Sequence, residues 1–145
     1  MTERDVKQWL NRAHNIDKEI NNLILERDRA FSKATSAVNG ASGEKVQTSA
    51  QNSTESKYIA YAEYESEIDR RIDELYEVKK EILRAIKKVE NSTYRLLLTL
   101  RYIRFMTWEQ VAEEMNYSTM HIHRLHNDSL KKVKDVIECY TVSMI

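Results

Sequence analysis

The sequence predicts an all-α fold: a long antiparallel helical hairpin, coiled-coil-like, followed by a small helix-turn-helix domain. Among its 145 residues there is no proline, and the only glycines, Gly40 and Gly43, lie close together, so long helices with one clear break are expected. Apolar residues recur at helical spacing through long stretches on both sides of that break. The stretch Thr107 to Leu130, TWEQVAEEMNYSTMHIHRLHNDSL, then reads as a short helix, a tight turn and a second helix. The expected division is a hairpin and oligomerisation arm over 1–90, with a flexible loop at 39–56, and a helix-turn-helix domain over 91–145.

Composition narrows the class. Charged residues make up 32% against 41% hydrophobic, which favours a small domain plus an elongated arm over one large globule. No apolar run approaches the roughly 18 residues of a membrane span, and no signal-peptide pattern opens the chain, so a cytoplasmic protein without a membrane partner is expected. The single Cys139 agrees with a reducing compartment and excludes an internal disulfide. Net charge is zero, and Lys+Arg against Asp+Glu stands at 16 to 17 through Glu90 and 7 to 6 after it. Any affinity for nucleic acid must therefore come from local arrangement, duplication or a partner.

The first helix is expected from Thr2 to about Val38. One seam column reads Val6, Ala13, Ile20, Arg27, Ala34, and another reads Trp9, Ile16, Leu23, Ala30, Ala37. Arg27 interrupts the first column, either to set register or with its stem on the seam and its head in water. Residues 39–56, NGASGEKVQTSAQNSTES, have no apolar period and read as a loop. Helicity resumes near Lys57 and runs to about Glu90, with Tyr61, Ile68, Leu75, Ile82 and Val89 in one column and Tyr58, Ile72 and Ile86 in its neighbour. At about 1.5 Å per residue the two helices match at about 50 to 55 Å, the natural geometry of a hairpin. Such a hairpin buries a narrow stripe and leaves Phe31, Tyr64, Tyr76 and Leu83 partly wet, which predicts self-association as a homodimer.

Asn91 and Ser92 can cap a helix over Thr93 to Arg104 that buries Leu96, Leu97, Leu100 and Ile103. Thr107 with Gln110 makes a capping box, and Trp108, Val111, Ala112 and Met115 form an inward face. Asn116 suits a left-handed turn, Tyr117 follows as an apolar plug, and Ser118 caps the last helix. In that helix Ile122, Leu125, Ser129, Leu130 and Val133 face inward. Thr119, Met120, His121, His123, Arg124 and Asn127 face outward, a mix of hydrogen-bonding groups and a cation suited to the major groove of double-stranded DNA. Arg124 is the candidate for bidentate contact with guanine, and Ser118 with the helix-start amides suits a phosphate. His123 and His126 share a face, but no third metal ligand lies near, so no metal is assigned. Near phosphates, protonation of the histidine cluster would strengthen binding below roughly pH 7.

The run YRLLLTLRYIRFMTWEQVAEEMNYSTMHIHRLHNDSLKKV, Tyr94 to Val133, resembles the region-four domain of sigma-70-type RNA polymerase sigma factors. The likeness rests on the LRYI helix, the TWEQVAEEM helix, the Tyr-Ser cap and the final RLH followed by Leu130. The whole chain looks like short sigma-like regulators of bacteriophages and prophages, akin to the ArpU and RinA transcriptional regulators. The resemblance implies that Thr119, Met120, His121, His123 and Arg124 read promoter DNA, and that RNA polymerase is a second partner. Thr, Met and His stand here where the family is rich in arginine, and nothing resembles the sigma domain that melts the promoter.

The sequence thus predicts a sequence-specific transcriptional regulator, with two alternatives: a DNA-packaging protein resembling a phage small terminase subunit, and a sigma mimic that binds polymerase alone. No paired acid and base, nucleophile arrangement, Gly-rich phosphate loop or metal spacing appears, so neither an enzyme nor a cofactor is expected.

Overall fold

The computed structural model describes residues 1–40 and 47–143, with side chains over 1–32 and 54–140. Among the described residues the fold is all-α, with no strand: α1 Glu3–Leu10, α2 Arg12–Gly40, α3 Gln47–Lys87, α4 Ser92–Tyr102, α5 Trp108–Met115 and α6 Thr119–Ser143. None of the described helices is long and apolar enough to cross a membrane.

The expected first helix is two. Thr2 starts α1 with a reciprocal capping box: its hydroxyl accepts from the Asp5 amide at 3.2 Å, and its own amide donates to the Asp5 carboxylate at 2.8 Å. At Asn11 the helix breaks. The Arg12 side chain donates its Nε–H to the Trp9 carbonyl at 3.0 Å, an intrusion into the backbone ladder of the kind that interrupts helices.

The second long helix also differs from expectation. It begins at Gln47, so residues 47–56, assigned above to a loop, are helical, as are Asn39 and Gly40. This stretch holds neither glycine nor proline, and extending an existing helix adds a hydrogen bond per residue without a new nucleus. Residues 41–46, the remainder of that loop, lie outside the described residues, as do the side chains of Ala34 and Ala37 in the expected seam.

Packing divides the chain into two compact units. One is residues 16–74, an antiparallel pair of helical stretches in which Glu19 meets Arg71 at 3.2 Å, Arg27 meets Glu65 at 2.7 Å and Phe31 meets Tyr61. The descending partner numbers fix both direction and register. Ile16, Ile20 and Ile68 are buried between the helices, and Arg27 reaches its acid across the seam while its guanidinium lies over the Tyr61 ring. Arg27 therefore makes the inter-helix contact expected of a register residue.

The column Tyr61, Ile68, Leu75 and Ile82 of α3, continued by Val89 just past its end, is buried or half-buried throughout. Of the expected neighbouring column, Ile86 is buried but Tyr58 and Ile72 are exposed. The covered positions are Lys57, Tyr64, Arg71, Val78 and Ala85, also seven apart. Arg71 can occupy such a position because two carboxylates, Glu19 and Glu74, hold its guanidinium.

The other unit joins Met1–Asn15 to Leu75–Ile145. Its core brings Val6 and Leu10 of α1, Ile82 and Ile86 of α3 and Val89 just beyond it together with Leu97, Leu98 and Leu100 of α4, Val111 of α5, and Ile122, Leu130, Val133 and Ile137 of α6. Packing, then, gathers chain ends that a boundary at residue 90 separates. In α4 Leu97 and Leu100 are buried as expected, joined by Leu98 and Tyr102, and Ile103 packs half-buried against the core, while Leu96, expected inward, is 47% exposed.

Candidate nucleic-acid interface

The α5–α6 pair is built from local signals. Thr107 accepts from the Gln110 amide at 3.2 Å, and Gln110 accepts from the Thr107 amide at 2.9 Å, completing the expected capping box. Val111 and Ala112 are buried, and Trp108 and Met115 are half-buried. Asn116 then turns left-handed, φ 58° and ψ 41°. Its amide donates to the Glu113 carbonyl at 3.3 Å and the next amide, of Tyr117, to the Ala112 carbonyl at 3.0 Å. This paired closure is the Schellman arrangement, and Asn accepts the left-handed backbone at lower cost than most side chains. Ser118 starts α6, its hydroxyl accepting from the His121 amide at 3.1 Å. Tyr117 is exposed, and its ring leans on His121 at 4.5 Å, so it covers the helix start and does not plug the core.

All seven candidate residues, Ser118, Thr119, Met120, His121, His123, Arg124 and Asn127, are exposed. The sequence from Asn116 to Asn127 carries no carboxylate, so the first two turns of α6 present donors, a cation and a thioether without an acid to repel phosphate. Among the described residues Met120 is the most open of the large apolar ones, at 68%. Below this face, Ile122, Ser129, Leu130 and Val133 are buried and Leu125 is half-buried, as expected.

His126 departs from the histidine cluster. It is buried, with Nε2 at 2.6 Å from the Tyr102 hydroxyl and its ring edge-on to Trp108 at 4.5 Å. Burial first, then the charges of Lys7, Arg101 and His123, push its pKa down to about 3, while burial raises Tyr102 to about 12. Both groups are therefore neutral at ordinary pH, and the bond links α4 to α6. The signal was present, because His126 stands four residues after Ile122 and three before Ser129 on the inward face.

The sequence places residues 3–10 in a helix but not against α6, where α1 packs. Its Val6 and Leu10 are fully buried, and the N-terminal ammonium is 3.6 Å from Glu138. The local signal is the width of the apolar face at Val6, Trp9, Leu10 and Ala13, broader than a coiled-coil seam requires.

A further link joins α2, α3 and the α4–α5 turn. Phe105, at φ 58°, stacks on His14 at 4.8 Å, and the Lys79 ammonium stands 4.6 Å from its centroid. An aromatic residue in the left-handed region costs energy, and these contacts help to hold it there.

A short helix, α5, and the longer α6, meeting through a left-handed Asn116, braced by α4 and with an open face on the second, define a helix-turn-helix. The chain belongs to the family described as protein of unknown function DUF1492, which matches residues 34–134. It is also similar to the RNA polymerase sigma factor SigF of Mycobacterium tuberculosis, strains CDC 1551 / Oshkosh and ATCC 25618 / H37Rv, at 32% identity over 72 residues. That stretch covers 50% of this chain and 27% of the sigma factor, in agreement with the sigma-factor resemblance read from the sequence. No solved structure matches the chain significantly.

Proposed function

We propose that the chain is a sequence-specific DNA-binding regulator of transcription, of phage or prophage genes, acting in the cytoplasm without a catalytic step. The helix beginning at Ser118 enters the major groove, with Arg124 on a guanine edge and Thr119, Met120, His121, His123 and Asn127 contacting neighbouring bases or phosphates. The observation that carries this reading is the open, acid-free face at the start of α6, set on a capped and braced helix. In this reading residues 91–145 are the DNA-reading part, braced by residues 1–15 and 75–90 that pack in the same unit, and the remainder of 1–90, residues 16–74, is the arm.

With no net charge to draw it to DNA, one copy binds weakly, and pairing through the arm compensates by placing two recognition helices on neighbouring half-sites. Tyr58, Ile59 and Ile72, exposed at 44%, 60% and 47%, are the apolar groups that a second copy would cover. Contact with RNA polymerase is a second reading, favoured by the likeness to a sigma factor. Selection of bound duplexes from a random pool, followed by a polymerase pull-down with the same protein, separates them. A shared motif among the selected duplexes supports the regulator, whereas polymerase capture without such a motif supports the sigma mimic.

A further inference from the structure

Beside the proposed reading face is a cleft of about 320 Å³ shared by α1, α4, α5 and α6. Lys7 and Asn11 line one wall, His123 and Asn127 the other, and Arg101 stands between them above the buried Tyr102–His126 pair. Among the described residues no carboxylate lines it.

We infer that this cleft holds a backbone phosphate of bound duplex DNA, with Lys7 and Arg101 as its cations and Asn11, His123 and Asn127 as further hydrogen-bonding groups. The inference rests on the proposed DNA reading and extends the interface from α6 to the N-terminal helix, which lies outside the residues that define the family. Arg101 is held for such a contact: its guanidinium lies 4.3 Å over the Trp108 ring and donates one of its five N–H groups to the Met106 carbonyl at 2.8 Å. Lys7 is the adaptable partner. Its ammonium is 3.2 Å from Glu3 in a solvated pair, which a doubly bridged phosphate can displace at small cost. Burial first, and then the charges of Lys7, Arg101 and His123, oppose protonation of His126, which lines the same cleft. His123 and Asn127 are one helical turn apart, so the groove-facing edge of α6 passes directly into the cleft. A phosphate seated there fixes the angle of the recognition helix without reading sequence.

The test uses the full chain and duplexes obtained by selection, with affinity followed by fluorescence anisotropy across a salt series. Loss of one phosphate contact lowers the slope of log K against log salt by about 0.9. Lys7→Gln is expected to show that loss and to weaken selected and random duplexes by the same factor. Lys7→Arg keeps the slope, and Glu3→Gln tightens binding to both. A wild-type slope in Lys7→Gln, while Arg124→Ala still loses preference for the selected duplex, overturns the cleft assignment and leaves the DNA reading standing. If the wild-type chain binds no duplex, the DNA reading fails. Inorganic phosphate titrated against the His123 imidazole resonances then asks what the cleft takes. A shift that Lys7→Gln abolishes reassigns it to free phosphate, and no shift removes it as an anion site; either result overturns the backbone assignment.

Discussion

The Tyr102 hydroxyl and His126 Nε2, 24 positions apart in the chain, meet at 2.6 Å inside the core beneath α6. Because the fold holds His126 neutral down to about pH 3 and an unfolded chain protonates it near 6.5, the unfolded state binds the extra proton between those values. This contribution to stability is complete above about pH 6.5 and is lost progressively as pH falls toward 3. Urea unfolding across that range should show a His126→Leu variant with a shallower pH dependence than wild type. Tyr102→Phe leaves a buried nitrogen unpartnered and should cost about 1 to 3 kcal/mol at neutral pH.

Leu10 is fully buried in the same unit as Ile122 and Ile137, more than a hundred positions away. Leu10→Ala should destabilise this unit by about 2 to 5 kcal/mol, as large-to-small changes in packed cores do. Hydrogen exchange read at the amides of α4 and α6 checks it: protection should fall there, and unchanged protection would show that α1 does not brace those helices.

Arg27 and Glu65 form the 2.7 Å contact that helps to fix the register of the hairpin. Arg27→Glu should lower the urea midpoint by placing like charges together, and Arg27→Glu with Glu65→Arg should recover part of the loss. A double variant no better than the single one would show that the pair has no part in register.

The proposed dimer makes a separate prediction. Ile72→Glu places a charge on an exposed apolar position and should turn a dimeric mass into a monomeric one by light scattering at tens of micromolar, with helicity retained. A monomeric mass for the wild-type chain at that concentration contradicts the pairing.

Much of the helix-turn-helix was legible because its determinants are local. Thr107 and Gln110, Asn116, and Ser118 each act within a few residues, and each makes the contact its type implies. Long-range choices were less legible. The α1–α6 packing depends on residues at opposite ends of the chain, and nothing near Val6 names its partner. Arg71 and Lys57 took seam positions that a search for apolar residues gave to Ile72 and Tyr58, because a long stem can cover a seam while its head finds an acid or water. His126 was grouped with its surface neighbours by residue type, although its spacing placed it inward. The polar stretch 47–56 read as a loop from composition, but the long helix after it carries it as an extension.

If the exposed face of α6 distinguishes one DNA sequence from another, Arg124 is the residue whose loss should show it. Affinities of wild type and Arg124→Ala should be compared on a selected duplex, on the same duplex with one guanine changed, and on random duplex at fixed salt. Arg124→Ala should lose about 1 to 3 kcal/mol on the selected duplex, little further when the contacted guanine is changed, and much less on random DNA. Equal losses on all three duplexes, or no loss on any, would contradict sequence reading by this face.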